Sequence, residues 1–251
     1  MCHLKEQLTP DLNWYVILNQ TSDGNPQRWF YMNSGENAQG IWLGTPYAEW
    51  REVMPNIAQI SPEHPFLDWI ATESCDDWGI IVGSEADFAT VQAHFRSLTH
   101  VWLPSGEHVF FRFYDPRFGL DVATFCEDEA RTALMGPTQC WLSLSSSQQE
   151  LTRVDNPTPT ATADFQERAF PWWTVPEAVL AALSEDPSVL TNNLLQGLSE
   201  YQQALYDAYP EPVLRQKTER FVARYQGEKD GYLAAFIEYI EQEQQRLGML
   251  S

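Results

Sequence analysis

Val109-Phe110-Phe111-Arg112-Phe113-Tyr114-Asp115-Pro116-Arg117 carries an aromatic run straight into a pair of residues that stops it. Read as a strand with a period of two, Val109–Tyr114 sets Phe111 and Phe113 on one face and Phe110, Arg112 and Tyr114 on the other. Asp115-Pro116 then closes the strand, because proline has no amide donor and biases the residue before it to extended backbone. Upstream, Val101–Leu103 is a second strand joined to the first by the turn Pro104-Ser105-Gly106. Before it, Ser84 is placed to cap a helix over Glu85–Thr99, with Phe88, Val91 and Phe95 on one face. Downstream, a helix is expected from about Leu120 to Leu134, ended by Gly136-Pro137. Strand and helix signals thus alternate around this run, and the fold class is α+β.

The same pattern extends towards the N-terminus. Trp14–Leu18 is a buried strand ended by the turn cluster Thr21–Pro26, and Arg28–Met32 is expected to be a second strand. Pro55, Pro62 and Pro65 cut the region before Ile70 into short helical turns. Trp78–Val82 is a strand closed by Gly83-Ser84, and Trp141–Leu144 is the last strand of a mixed sheet. The polar stretch Ser145–Gln149 and the Pro- and Thr-rich run Asp155–Thr162 lack apolar residues to bury, so 151–164 reads as a linker or exposed loop between a lobe over 1–150 and a lobe over 165–251. The second lobe reads as all-helical. It has a short helix after Pro176, one from Pro187 carrying Leu190, Leu194, Leu198, Tyr201 and Leu205, and one after Pro210 and Pro212 carrying Leu214, Thr218, Phe221, Val222 and Tyr225, ended by Gly227. The last, from about Asp230, carries Leu233, Phe236, Ile237, Ile240 and Leu247.

Composition narrows the function classes. The 251 residues are 43% hydrophobic, enough for a sizeable core, and carry a formal net charge of −20. Both proposed lobes are acidic, with 21 acidic against 8 basic side chains in residues 1–163 and 14 against 7 in 164–251. Nucleic acid is disfavoured, since neutralising phosphates takes clustered Lys and Arg, and an anionic membrane surface is disfavoured for the same reason. No apolar run approaches the roughly 20 residues that span a bilayer. Cys2, Cys75, Cys126 and Cys140 form no CxxC pair, and the N-terminus has no secretory apolar segment, so a reduced, cytoplasmic protein is expected.

The candidate chemistry is thin. Arg112 inside an aromatic strand must be paired or must reach water, and Asp115 is its nearest carboxylate acceptor. On this reading Arg112, Tyr114, Asp115, Pro116 and Arg117 form a structural signature, the alternative being that Arg117 or Arg96 meets a partner's carboxylate. His94 with Cys75 or Cys126 lacks the local signature of a nucleophilic pair and reads as a structural histidine. The acidic runs Glu73–Asp77 and Glu127–Glu129 lack cation-loop spacing and read as solvated charge. No glycine-rich phosphate loop is present. No catalytic, metal or cofactor residue is therefore assigned. Trp172 and Trp173, with Tyr232, Phe236 and Tyr239, are the candidate partner-binding aromatics; a staple between the two lobes is the other reading of the tryptophan pair.

Read together, His94-Phe95-Arg96-Ser97-Leu98 and Phe111–Arg117 resemble the effector chaperone and adaptor family of bacterial type VI secretion, the Tap or Tec proteins. The order of Trp14–Leu18, Met54-Pro55-Asn56-Ile57, Phe66–Ile70, Trp78–Val82, Pro104-Ser105-Gly106 and Leu134-Met135-Gly136-Pro137 is similar to that of the family, over roughly residues 14–142. Asn19 departs from it, standing where an acidic residue is common. The resemblance implies a cytoplasmic chaperone that binds a cognate effector through a non-catalytic segment and helps to load it onto the VgrG spike, with no cofactor and with client specificity in the divergent C-terminal lobe. Two rivals stand beside it: an immunity protein whose acidic surface neutralises a toxin, and a carboxylate-dependent hydrolase.

Overall fold

The computed structural model describes residues 4–145, 150–225 and 231–247. The chain divides into two compact units, Met1–Leu180 and Ala181–Ser251. Together they make an α+β protein.

In the first unit, α1 (Leu4–Gln7) precedes β1 (Asn13–Leu18), α2 (Pro26–Met32), β2 (Gln39–Gly40), β3 (Asn56–Ile60), α3 (Phe66–Thr72) and β4 (Gly79–Ser84). There follow α4 (Phe88–Ser97), the hairpin strands β5 (His100–Trp102) and β6 (His108–Phe110), α5 (Pro116–Phe125), α6 (Asp128–Met135), β7 (Thr138–Ser145) and β8 (Glu150–Asp155). Six strands form one sheet in the order β2-β3-β1-β4-β7-β8, and each of these pairings is antiparallel. The central strands read as continuous apolar runs because both faces of the sheet are covered. Trp14, Val16 and Leu18 point to a core shared with Phe30, Phe66, Trp69 and Ile70 of α2 and α3. On the other face, Phe95 of α4 packs against Trp141 and Phe113 at centroid distances of 5.5 and 5.1 Å.

Four expectations are corrected here. Between Pro55 and Pro62 the chain forms strand β3 rather than a helical turn, because Ile57, Ala58 and Ile60 are buried in its pairing with β1. Arg28–Met32 lies in helix α2 rather than a strand: Pro26 starts the helix, and Pro26 and Phe30 are its buried residues, a spacing of four that suits a helix and not a pleat. The helix expected over Leu120–Leu134 is two helices. Cys126 is extended between them, and Arg131 of α6 donates to the carbonyls of Ala123, Thr124 and Cys126, which satisfies acceptors at the end of α5. The strand expected over Val109–Tyr114 stops at Phe110.

The stretch 151–164 is also not free chain throughout. Residues 150–155 form β8, an edge strand in register with β7 from Ser145↔Glu150 to Cys140↔Asp155. Beyond it, buried Asn156 donates to the carbonyls of Gly136 and Thr138, and Thr160 donates to Gly136. Residues 165–180 fall in the first unit, so the chain divides after Leu180 and not near 150–165.

In the second unit, α8 (Pro187–Tyr201), α9 (Gln203–Asp207), α10 (Glu211–Val222) and α11 (Tyr232–Leu247) enclose a core of Leu194, Leu195, Leu198, Leu205, Tyr209, Leu214, Phe236 and Ile240. Helix α7 (Glu177–Glu185) spans the division. Asp186 caps α8 by accepting from the amides of Ser188 and Val189. Gly227 and Asp230, named above as helix limits, lie outside the described residues.

Candidate functional site

Asp115 is wholly buried and sits where α5 begins. Its carboxylate accepts from the Arg117 amide at 3.2 Å, from Arg117 Nε at 2.9 Å and Nη2 at 2.7 Å, and from Arg112 Nη2 at 3.1 Å. One carboxylate thus caps the helix and binds two guanidinium groups. Arg117 reaches on to Asp77 at 3.4 Å, and Asp77 accepts from Ser22 Oγ at 2.7 Å. Burial pushes the Asp77 carboxyl above its ordinary range, with Arg117 and Ser22 opposing the rise. Asn19 donates from its side-chain amide to the Asp77 carbonyl at 2.8 Å, a bond an ionised acidic residue could not make. The network ties the end of β1, the start of β4 and the start of α5 together, and leaves the Asp115 oxygens occupied. Asp77, whose side chain keeps 20% of its surface in solvent, belongs to this network rather than to solvated charge.

Next to this network the β5–β6 hairpin carries an aromatic shelf. The cross-strand pairs His100↔Phe110 and Trp102↔His108 place four rings on one face. Tyr47 packs on Phe110 at 4.8 Å and on His100 at 5.3 Å, while Trp50 stacks on Phe110 at 5.6 Å. Trp50 is 49% exposed and Phe110 39%. Beneath them Trp42 Nε1 and His100 Nε2 are buried with no hydrogen-bond partner among the described residues. The outer edge of β5 is covered, since the Trp102 amide donates to the Trp173 carbonyl at 2.8 Å and the Trp102 carbonyl accepts from Val175 at 2.9 Å.

Residues 14–133 match a family described as a domain of unknown function (DUF4123). No curated protein and no solved structure matches the chain. The matched segment contains the Asp115 network and the whole hairpin with its shelf, and it ends within α6.

The partner-binding aromatics named from sequence are distributed otherwise. Trp172 and Trp173 belong to the first unit. Trp173 is buried and stacks on Phe111 at 6.3 Å, so it packs the hairpin and is not open to a partner. Trp172 donates to Ser97 Oγ at 3.0 Å and carries the Arg168 guanidinium 4.3 Å above its ring. It lines a cleft of about 440 Å³ with His94, Glu129, Asp164, Glu167 and Arg168. Tyr232, Phe236 and Tyr239 lie on α11 in the second unit. Phe236 is fully buried, with Phe221 5.3 Å away, and is core rather than surface; Tyr232 and Tyr239 flank the same Phe221 ring at 5.7 and 5.4 Å and stay half-buried. Sequence reasoning missed Tyr47, Trp50 and Phe110 as a surface set because they meet only through tertiary packing.

His94 and Cys126, weighed above as one nucleophilic pair, are both buried. His94 is buried with Nε2 2.9 Å from the Leu134 carbonyl, and burial lowers its pKa to about 4. Gly136 (φ 54°) lies against this ring, where a Cβ would stand 2.4 Å from the imidazole carbon Cε1. Burial raises the Cys126 thiol to about 11 and also raises Cys140, so neither is a thiolate near neutrality. Among the described residues no cluster of His, Cys, Asp or Glu is arranged to hold a metal ion. Among the same residues, no helix is long and apolar enough to cross a membrane.

Proposed function

We propose that the chain is a type VI secretion chaperone that holds an effector through a non-catalytic segment and joins it to the VgrG spike in the cytoplasm. The observation that carries this reading is the position of the shelf: an exposed Trp50–Phe110 stack lies inside the segment that matches DUF4123, on an otherwise strongly acidic chain. Large aromatic groups held rigid at a surface supply contact area at low entropic cost, which suits recognition of a protein client. The role is binding and not catalysis, and it calls for no cofactor. The helical unit from Ala181 onward is the second candidate surface, with Tyr232 and Tyr239 at its rim.

Co-expression with the effector encoded beside it tests the reading. The chain should form a stable complex with that effector, raise its soluble yield and leave its toxic activity intact. Capture of the toxic domain alone, with its activity blocked, would replace the chaperone by an immunity protein.

A further inference from the structure

The ladder of the hairpin shows which way each backbone group of β6 points. Leu103 donates to the Glu107 carbonyl at 2.7 Å and Phe111 donates to the Thr99 carbonyl at 3.0 Å. Antiparallel ladders alternate, so Val101 and Val109 form the hydrogen-bonded pair between these bonds, and His108 and Phe110 turn their amides and carbonyls away from β5. Trp102 obeys the same alternation on the opposite strand: its outward groups are taken by Trp173 and Val175. On β6 no such cover exists among the described residues, and all three of its residues are exposed. The open edge runs beside the Trp50–Phe110 stack and the unpartnered nitrogens of Trp42 and His100. Glu49 and Glu52 lie on either side of Trp50 in the chain, with Arg51 between Trp50 and Glu52, and Glu107 precedes β6; all three carboxylate residues are exposed.

We infer that β6 accepts an extended client segment as an added strand, one with an apolar side chain for the Trp50–Phe110 shelf and Lys or Arg on either side. The inference rests on the proposed chaperone function and names the part of the client that this site takes. Backbone pairing to the outward groups of His108 and Phe110 supplies register without demanding one sequence, and the shelf selects the side chain between them. The acidic flanks attract the basic ends of the segment and speed the encounter.

His108→Pro tests the edge directly. Proline removes the outward amide of residue 108 while the inward bonds of Glu107 and Val109 remain, and proline is tolerated on strand edges. Against the effector encoded beside the chain, this variant should bind at least about tenfold more weakly than His108→Ala, which removes the same imidazole from the shelf but keeps the amide. Equal affinities for the two variants would overturn the inference and leave the chaperone reading standing; no binding by the unaltered protein would overturn both. Hydrogen exchange on the unaltered complex gives a second measurement that no folding defect in the variant can obscure. The amides of His108 and Phe110 should slow about tenfold or more on binding, and unchanged exchange there sinks the proposal. Replacing Glu49, Glu52 and Glu107 with Gln should lower the association rate about tenfold at low salt, and an unchanged rate would overturn the basic character of the segment. If the chain alone self-associates and His108→Pro abolishes it, the edge takes a second copy and the inference fails.

Discussion

Asp115 shows how much one side chain settles. Arg112 and Arg117 each keep about a quarter of their side chain in solvent, while the carboxylate between them has none. Removing the acid therefore leaves two cations without their shared acceptor and α5 without its cap, and Asp115→Ala should cost about 3–5 kcal/mol in urea unfolding. Arg112→Ala should cost only about 1.5–3 kcal/mol, because Arg117 still neutralises the buried charge. Equal losses for the two variants would show that Arg117 does not share the load. His94 is a second single-residue determinant. It stays neutral in the fold down to about pH 4, whereas the unfolded chain takes up this proton near 6.5. The unfolded state thus holds more protons across that window, so the stability contributed by neutral burial is complete above 6.5 and is lost as pH falls towards 4. The slope approaches about 1.4 kcal/mol per pH unit. His94→Gln keeps an amide donor for the Leu134 carbonyl without titrating. Urea midpoints compared at about pH 7 and about pH 5 should fall less in this variant than in the parent, and parallel falls would assign the acid sensitivity elsewhere.

Among elements, legibility followed locality. The strand at Trp14–Leu18 and the helix start at Pro187 were readable because hydrophobic run, turn and cap are adjacent in sequence. Helix α2 misled because Trp29-Phe30-Tyr31-Met32 looks like a strand by composition, and only the seating of Phe30 on Phe66, at 5.3 Å, decides for the helix. Strand β8 was hidden for a different reason. Its residues are mostly exposed and polar, as an edge strand's are, so Leu151-Thr152-Arg153 resembles loop until β7 is present to pair with it. The Arg112–Asp115 pair lay within one turn and could be read. The extension from Arg117 to Asp77 joins residues 40 apart and could not, and the shelf of Tyr47, Trp50 and Phe110 was invisible for the same reason.

For the whole molecule, the division after Leu180 fixes which fragment should stand alone. A chain ending at Leu180 keeps Trp173 and Val175 on the outer edge of β5, with Trp173 against Phe111. A chain ending at Asp164 keeps the six-stranded sheet but bares that edge and the Phe111 ring. The longer fragment should be soluble and melt cooperatively, and the shorter one should melt several degrees lower with a poorer soluble yield. Matching melting curves would show that residues 165–180 contribute nothing to the first unit.

The strand order also constrains how the protein is made. The half-sheet β2-β3-β1-β4 is complete once Ser84 has been synthesised, yet the neighbour of β4 on its other side begins only at Thr138. At translation rates of roughly 5–20 residues per second, that gap lasts on the order of 3–10 s. For those seconds Ile80, Ile81 and Val82 belong to an unpaired apolar edge on a nascent chain. Whatever this protein does for another chain, its own central strand must first wait on the ribosome for the partner that covers it.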